Sequence, residues 1–392
     1  MKLSRHLIQV VVLAILLASA STGLAQNSGY QQQGQRHFVT LQLLHPLATS
    51  PNPETSAAVR LSLLYGRSQH ISGLDLNAGV AVSSGDISAF QATGLYNQVG
   101  GRFQGLGLTG GLQNLKGDGV GFLFTLGANH VEGNFVGLQS AGLLNLNRNH
   151  FAGAQISGLA NLNDGAGTFL QLASAANVNA GAFAGLQLST FMNAANSTMS
   201  GGQIALLNFA DNMSGFQVGA VNLARQYSGV QVGVLNYNKE FSGTPIGLVN
   251  MANDNRREWL FTASNLSLLN VGFRTVLNDW SSVVSLGHGD LQGDVSNSWF
   301  LGWHYGHLLL TRPSWELTLD VGYQHIIPKK SDNPLENDRL HYALQARLLG
   351  DWKIKDHLGI IGSVGLSTVY DEYSTDAASQ TDALITGGIV LY

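Results

Sequence analysis

The chain has 392 residues, of which 11% are charged and 48 are glycine, with a net charge of −4 and no cysteine. So few basic residues leave no footprint for a phosphate backbone, which argues against a nucleic-acid partner. The lack of cysteine excludes disulfides, thiolate metal sites and a lipidated cysteine, so stability must come from packing and backbone hydrogen bonds.

At the amino terminus, Lys2 and Arg5 precede an apolar run from Leu7 to Ala20, and Gly23-Leu24-Ala25 supplies small residues at a cleavage site. This predicts an export signal over residues 1–25. The run is shorter than the roughly 20 residues a membrane-spanning helix needs, and no later segment is long and apolar enough. Residues 26–69 read as an N-terminal β-hairpin region, with strands at 38–44 and 58–65 joined by a turn-rich stretch. These two strands are candidates to pair with the carboxy-terminal strands in a ten-stranded sheet.

Residues 70–254 repeat one motif about a dozen times. Gln139, Gln155, Gln171, Gln187, Gln203, Gln217 and Gln231, with Pro245 in the eighth slot, are each followed five or six residues later by Asn145, Asn161, Asn177, Asn193, Asn208, Asn222, Asn236 and Asn250. The step is sixteen residues early and fourteen late. A unit this short cannot bury a hydrophobic face alone, so neighbouring units must cover one another and the fold must be an array. Each unit has a core of Val, Ile, Leu and Gly bounded by turn formers, which predicts a strand rather than a helix.

Two arrangements fit. In a β-solenoid, equivalent residues stack one strand spacing apart, about 4.8 Å, and their amides form structural ladders. In one large antiparallel β-barrel, equivalent residues fall at opposite ends of neighbouring strands, and the recurrence of Gln and Asn has no cause. The solenoid is therefore expected. One feature is unusual for it: both alternating sets are apolar, as with Val218 and Ala220 against Val221, so the outer wall must be covered by another sheet, a partner or lipid.

From residue 255 onward the pattern changes to long alternation, and all six tryptophans lie there. Trp315, Leu317, Leu319, Val321 and Tyr323 alternate with Glu316, Thr318, Asp320, Gly322 and Gln324. Segments of about 10 residues with one apolar and one polar face predict transmembrane β-strands. Eight are expected, near 258–267, 270–277, 281–288, 298–310, 314–326, 339–350, 357–369 and 383–392, forming an antiparallel outer-membrane-type barrel. Arg274, Glu316, Asp320, Gln345 and Arg347 would line its interior, and Trp299, Trp303, Tyr305, Trp315 and Tyr323 would form interfacial girdles. The stretches 329–339 and 371–382 read as polar loops.

The tandem Gly-x-Gln-x-Gly-x-x-Asn run, ending in Pro245-Ile-Gly-Leu-Val-Asn250 and followed by alternating strands, resembles the bacterial surface-repeat proteins of double-membraned bacteria over roughly residues 70–275. That resemblance implies a cell-envelope location and carries no catalytic residues to transfer. Many members of that group are lipoproteins, and with no cysteine this chain would have to attach through its barrel.

A search for chemistry finds little. Charged residues in the array are sparse and are read as recurring at no fixed repeat position, and the calcium-binding Gly-Gly-x-Gly-x-Asp pattern is absent. His288, His304, His307, His325 and His341 fall in the carboxy-terminal strands, but His304 and His307 have opposite parity and point to opposite faces. The expectation is an all-β, non-catalytic outer-membrane or cell-surface protein without cofactor or metal, structural or adhesin-like, in contact with outer-membrane lipid and with surface glycan or protein. The alternatives are a pore made of all the strands and a periplasmic or secreted glycan binder.

Overall fold

The computed structural model describes residues 36–289, 298–327, 341–371 and 380–392. The export signal and the loop expected at 329–339 fall outside these residues, as does most of the one at 371–382. The fold is all-β: a solenoid-like stacked array of about 12 turns and a closed barrel of eight antiparallel strands. Compactness divides the chain into Met1–Asp211 and Asn212–Tyr392. The change in composition near residue 255 therefore marks a change of strand type, while the last three coils group with the barrel.

In the first unit, each coil contributes a seven-residue strand and a four-residue strand, as in Phe135–Ala141 and Leu144–Asn147. Both pair in parallel, in register, with their counterparts one coil away. Thus Gln139 lies beside Gln155, Gln155 beside Gln171 and Gln171 beside Gln187, while Asn145 lies beside Asn161 and Asn161 beside Asn177. The strands leave little room between coils. Gly121, Gly137 and Gly153 hold a positive φ, and a Cβ on Gly137 would stand 1.9 Å from the Gly121 carbonyl oxygen. Glycine meets both conditions without strain.

The amino-terminal strands do not behave as expected. Arg36–Leu44 pairs in parallel with Ser56–Ser68, which pairs in parallel with Ile71–Asn77, so these segments begin the array rather than form a hairpin for the barrel. Side chains explain the preference: Arg60 reaches the next coil to bind Asp75, and the Gln42 amide donates through Nε2 to Arg67 O and accepts at Oε1 from Arg67 N–H.

In the second unit the barrel strands are Arg256–Ser264, Leu269–Leu277, Trp280–Gly289, Ser298–Thr311, Trp315–Ile327, His341–Lys355, Leu358–Asp371 and Gln380–Leu391. They lie within a few residues of the boundaries read from the alternation. The first closes on the last, Trp259 opposite Leu391, so the ring needs no strand from elsewhere.

Candidate functional site

The interior of the array is built from amides. Gln155 Nε2 donates to Gln139 Oε1 at 2.9 Å, Gln171 to Gln155 at 2.7 Å, Gln187 to Gln171 at 2.8 Å and Gln203 to Gln187 at 2.7 Å. The asparagines run the other way: Asn145 Nδ2 donates to Asn161 at 2.8 Å, Asn161 to Asn177 at 2.8 Å, Asn177 to Asn193 at 2.9 Å and Asn193 to Asn208 at 3.2 Å. Each of these asparagines also ties down a backbone carbonyl of the following coil, as Asn161 does Leu172. Buried amides are costly unless paired, and here equivalent residues pair one another.

In the second unit the same device continues with the shorter period. Gln231 Nε2 donates to Gln217 at 2.7 Å, Asn222 to Asn236 at 2.8 Å and Asn236 to Asn250 at 2.7 Å. Pro245 takes the Gln slot of the last coil, where no amide donor is available. Gln231 is instead paired reciprocally with Asn238.

Two parts of this interior were not read from the sequence. A third column, Asn147, Asn163 and Asn179, donates forward along the array and cross-links the Gln column, since Asn163 Nδ2 reaches both Asn179 Oδ1 and Gln155 Oε1 at 2.9 Å. Its signal is Asn two residues after the main Asn, present in only some units. At the beginning of the array Asp75 stands in the Gln slot. It accepts from Gln91 at 2.6 Å and is neutralised by fully buried Arg60, at 2.7 and 2.6 Å.

The outside of the array is apolar on both faces and along one edge. Val136, Leu143, Leu159, Phe191 and Leu206 are all exposed. The charges, read from the sequence as falling at no fixed position, do keep the repeat step, and in the first unit the fold gathers them into one ridge. There Asp86, Arg102, Lys116, Asp118, Glu132, Arg148 and Asp164 all lie in the turn that ends a coil, and in the second unit Arg225, Lys239 and Glu240 take the corresponding coil end within the strand Val221–Met251. On this ridge Arg148 pairs with Asp164 one coil away at 2.6 Å. At the opposite, apolar edge of the first unit lies an open groove of about 1510 Å³, crossing successive coils at Leu76, Leu108, Phe124 and Leu126 and flanked by Leu41 and Leu47.

The barrel has the same inverted character. Inside, Arg274 is held by Glu258 and by Asp351 at 2.9 and 3.1 Å, Arg347 by Asp320 at 3.0 and 2.7 Å, and Gln345 bridges His304 and Gln324. Apolar clusters of Leu260, Val283, Leu349, Ile361 and Val390, and of Phe300, Ile326 and Ala343, fill the space above and below. This matches the small lumen of an eight-stranded ring, which side chains just fill. Glu316 lies at the rim, paired with Arg256.

Outside, Leu319, Val321, Leu344, Val364, Leu366, Ile385 and Ile389 are exposed. Strand register places Trp259, Trp280, Trp315 and Trp352 toward one rim of this wall, and Trp299, Tyr323, Tyr342 and Tyr370 toward the other. The outward histidines join these belts: His288 packs on Trp299, His307 on Trp280 and His325 on Tyr323.

Trp303 departs from its expected girdle role. It lies between the belts, and its indole N–H is directed at the Gly247 carbonyl, 3.2 Å away, beside the Ser282 hydroxyl at 2.7 Å from the same oxygen. Ser282 and Thr275 are small polar residues on an apolar wall, and both are buried. The last coil therefore lies against the lateral wall of the barrel. Its edge carbonyls, which would otherwise offer an open template for further pairing, are capped there. No family model, no curated protein and no solved structure matches the chain.

Proposed function

We propose that this is an outer-membrane protein of the cell surface, anchored by the eight-stranded barrel and using the coiled array as a rigid scaffold with a structural or adhesive role. The observation that carries this reading is the inversion of the barrel: Arg274 and Arg347, three carboxylates and His304 with its Gln345 partner face inward, while leucine, isoleucine and valine face outward between two aromatic belts. A barrel in water pays heavily for such a wall, whereas a barrel in lipid requires it. The amides of the array are committed to one another, which supports a scaffold over a catalyst.

The test is fractionation and gel migration of the full chain. The protein should partition with outer membranes, require detergent for extraction, and migrate faster unheated than boiled. Recovery as a soluble monomer without detergent, with unchanged migration on heating, would refute the reading.

A further inference from the structure

The second unit places the last coil beside the barrel wall at a definite height. The strand ending at Met251 is followed by Asn253, Asp254 and Asn255 and then directly by the first barrel strand at Arg256. Arg257 Nη2 donates to Ala252 O at 3.4 Å and Asn255 Nδ2 to Asn250 O at 3.1 Å, so the charged turn of the coil stays at the rim that bears Trp259. From that turn the coil runs along the wall, and its Gly247 and Leu248 carbonyls meet Ser282 between the two aromatic belts. A bilayer that surrounds this wall must also surround the coil lying on it.

The coils are built for that medium. Lys239 and Glu240 are on the ridge, and Val234 on the opposite edge is 53% exposed. The bend at that edge does not leave its amides open, because Val234 and Leu235 N–H groups both donate to Ala220 O at 3.0 Å. Satisfied backbone groups are the condition for residing in hydrocarbon.

The first unit, taken alone, repeats the pattern. Leu143 and Leu159 are exposed at its edge, their N–H groups donate to Gly127 and Leu143 carbonyls at 2.9 and 3.0 Å, and Arg148 and Asp164 occupy its ridge. Phe169 makes the same point from strain. It holds a φ of 94° in a column where its register partners Gly153 and Gly185 are glycine, and its side chain is 67% exposed. In water neither the strain nor the exposure has a return; in acyl chains the exposure does. Strands of four to seven residues at about 3.3 Å each reach roughly 13 to 23 Å from ridge to edge, comparable to one leaflet's share of a hydrocarbon core about 30 Å thick.

We infer that the coils of the second unit have their apolar edge immersed in the acyl chains of one leaflet and their charged ridge in the headgroup layer level with the barrel rim, and that the first unit, which bears the same edge and ridge, takes lipid on its own edge. The open groove along the apolar edge of the first unit then receives acyl chain. This rests on the barrel crossing a bilayer, and the experiment separates the two claims.

The chain contains no cysteine, so single cysteines can be placed at Leu143 and Val234 on the edge, Arg148 and Lys239 on the ridge and Val364 on the barrel wall. Each full-length variant (L143C, V234C, R148C, K239C, V364C) is labelled with an environment-sensitive fluorophore and inserted in vesicles of phosphatidylcholine and phosphatidylglycerol. Emission is quenched either by nitroxide on the lipid acyl chain or by iodide in the water. The edge labels should lose emission to the nitroxide and not to iodide, and the ridge labels the reverse. Edge labels reached by iodide overturn the inference, and edge labels reached by neither quencher overturn it in favour of a protein surface or a second copy of the chain. Nitroxide quenching at Val364 without quenching at the edge leaves the barrel reading standing and this one refuted; the opposite result refutes the barrel reading and with it the height assigned to the ridge. Should L143C not fold, L159C one coil further on replaces it.

Discussion

The Ser282 hydroxyl lies 2.7 Å from the Gly247 carbonyl oxygen, joining a residue on the outer wall of the barrel to the open edge of the last coil. A hydroxyl on an apolar wall would be a defect if it faced lipid. Here it closes a sheet edge, with Trp303 Nε1 at 3.2 Å from the same carbonyl. Replacing Ser282 by Ala, or Trp303 by Phe, is expected to cost about 1 kcal/mol each. Amide exchange should accelerate across residues 241–251 and remain unchanged in barrel strands on the far side. The two substitutions share an acceptor, so their effects should be coupled in a double-mutant cycle. Additive effects with no change in exchange would show that the edge is closed by something else.

Asn236 donates to Asn250 at 2.7 Å and accepts from Asn222 at 2.8 Å, fully buried. Asn236→Asp replaces the donor with a charged acceptor facing the Asn250 oxygen and the Ile246 carbonyl. A loss of about 3 kcal/mol or more is expected, because the new charge is buried without a partner. Asn253→Asp, on the exposed ridge, serves as the control and should be near neutral. Equal melting temperatures for the two variants would be incompatible with the ladder.

Phe169 and Gly137 make opposite predictions at equivalent positions of the repeat. Phe169→Gly removes a positive φ from a bulky residue and should stabilise the array by about 1 kcal/mol in detergent denaturation. Gly137→Ala should destabilise it by at least 2 kcal/mol or so, from the positive φ and from the clash with the Gly121 carbonyl. A loss of stability for Phe169→Gly would mean that the aromatic ring makes contacts worth more than the strain.

Arg274 is enclosed in the barrel between Glu258 and Asp351. Arg274→Met leaves Asp351 without a cation and Glu258 with only the more distant Arg256, at 3.4 Å, and a cost of about 3 kcal/mol is expected. The temperature at which the fast-migrating form is lost on a gel should fall. Adding Glu258→Gln and Asp351→Asn should restore much of it, since the penalty comes from stranded charge rather than from lost volume.

Much of this architecture is legible in the sequence because its periods are strict. Parallel stacking is forced by the Gln and Asn columns, and the inside of the barrel is readable wherever a polar residue alternates with an apolar one, as from Trp315 to Gln324. Other features depend on relations the alternation does not encode. The strand at Arg36–Leu44 has the pattern of a barrel strand, and only its pairing with Ser56–Ser68 assigns it to the array. Ser282 and Thr275 look like interruptions of an apolar face until the coil that covers them is placed. The charged ridge keeps the period as well, since Lys116, Glu132, Arg148 and Asp164 fall sixteen residues apart and so do Asp86, Arg102 and Asp118, but the sign of the charge changes at every step and masks it.

The opposed directions of the two amide columns carry one more consequence. Gln side chains donate toward the start of the array and the main Asn column toward its end, so a turn that carries only these two columns contributes two opposed moments. Length in such turns is therefore close to electrically neutral. Whole turns can be duplicated or deleted in the gene without burdening either terminus, leaving Arg60 and Asp75 at one end and Pro245 at the other as fixed stops between which the number of units is free to vary.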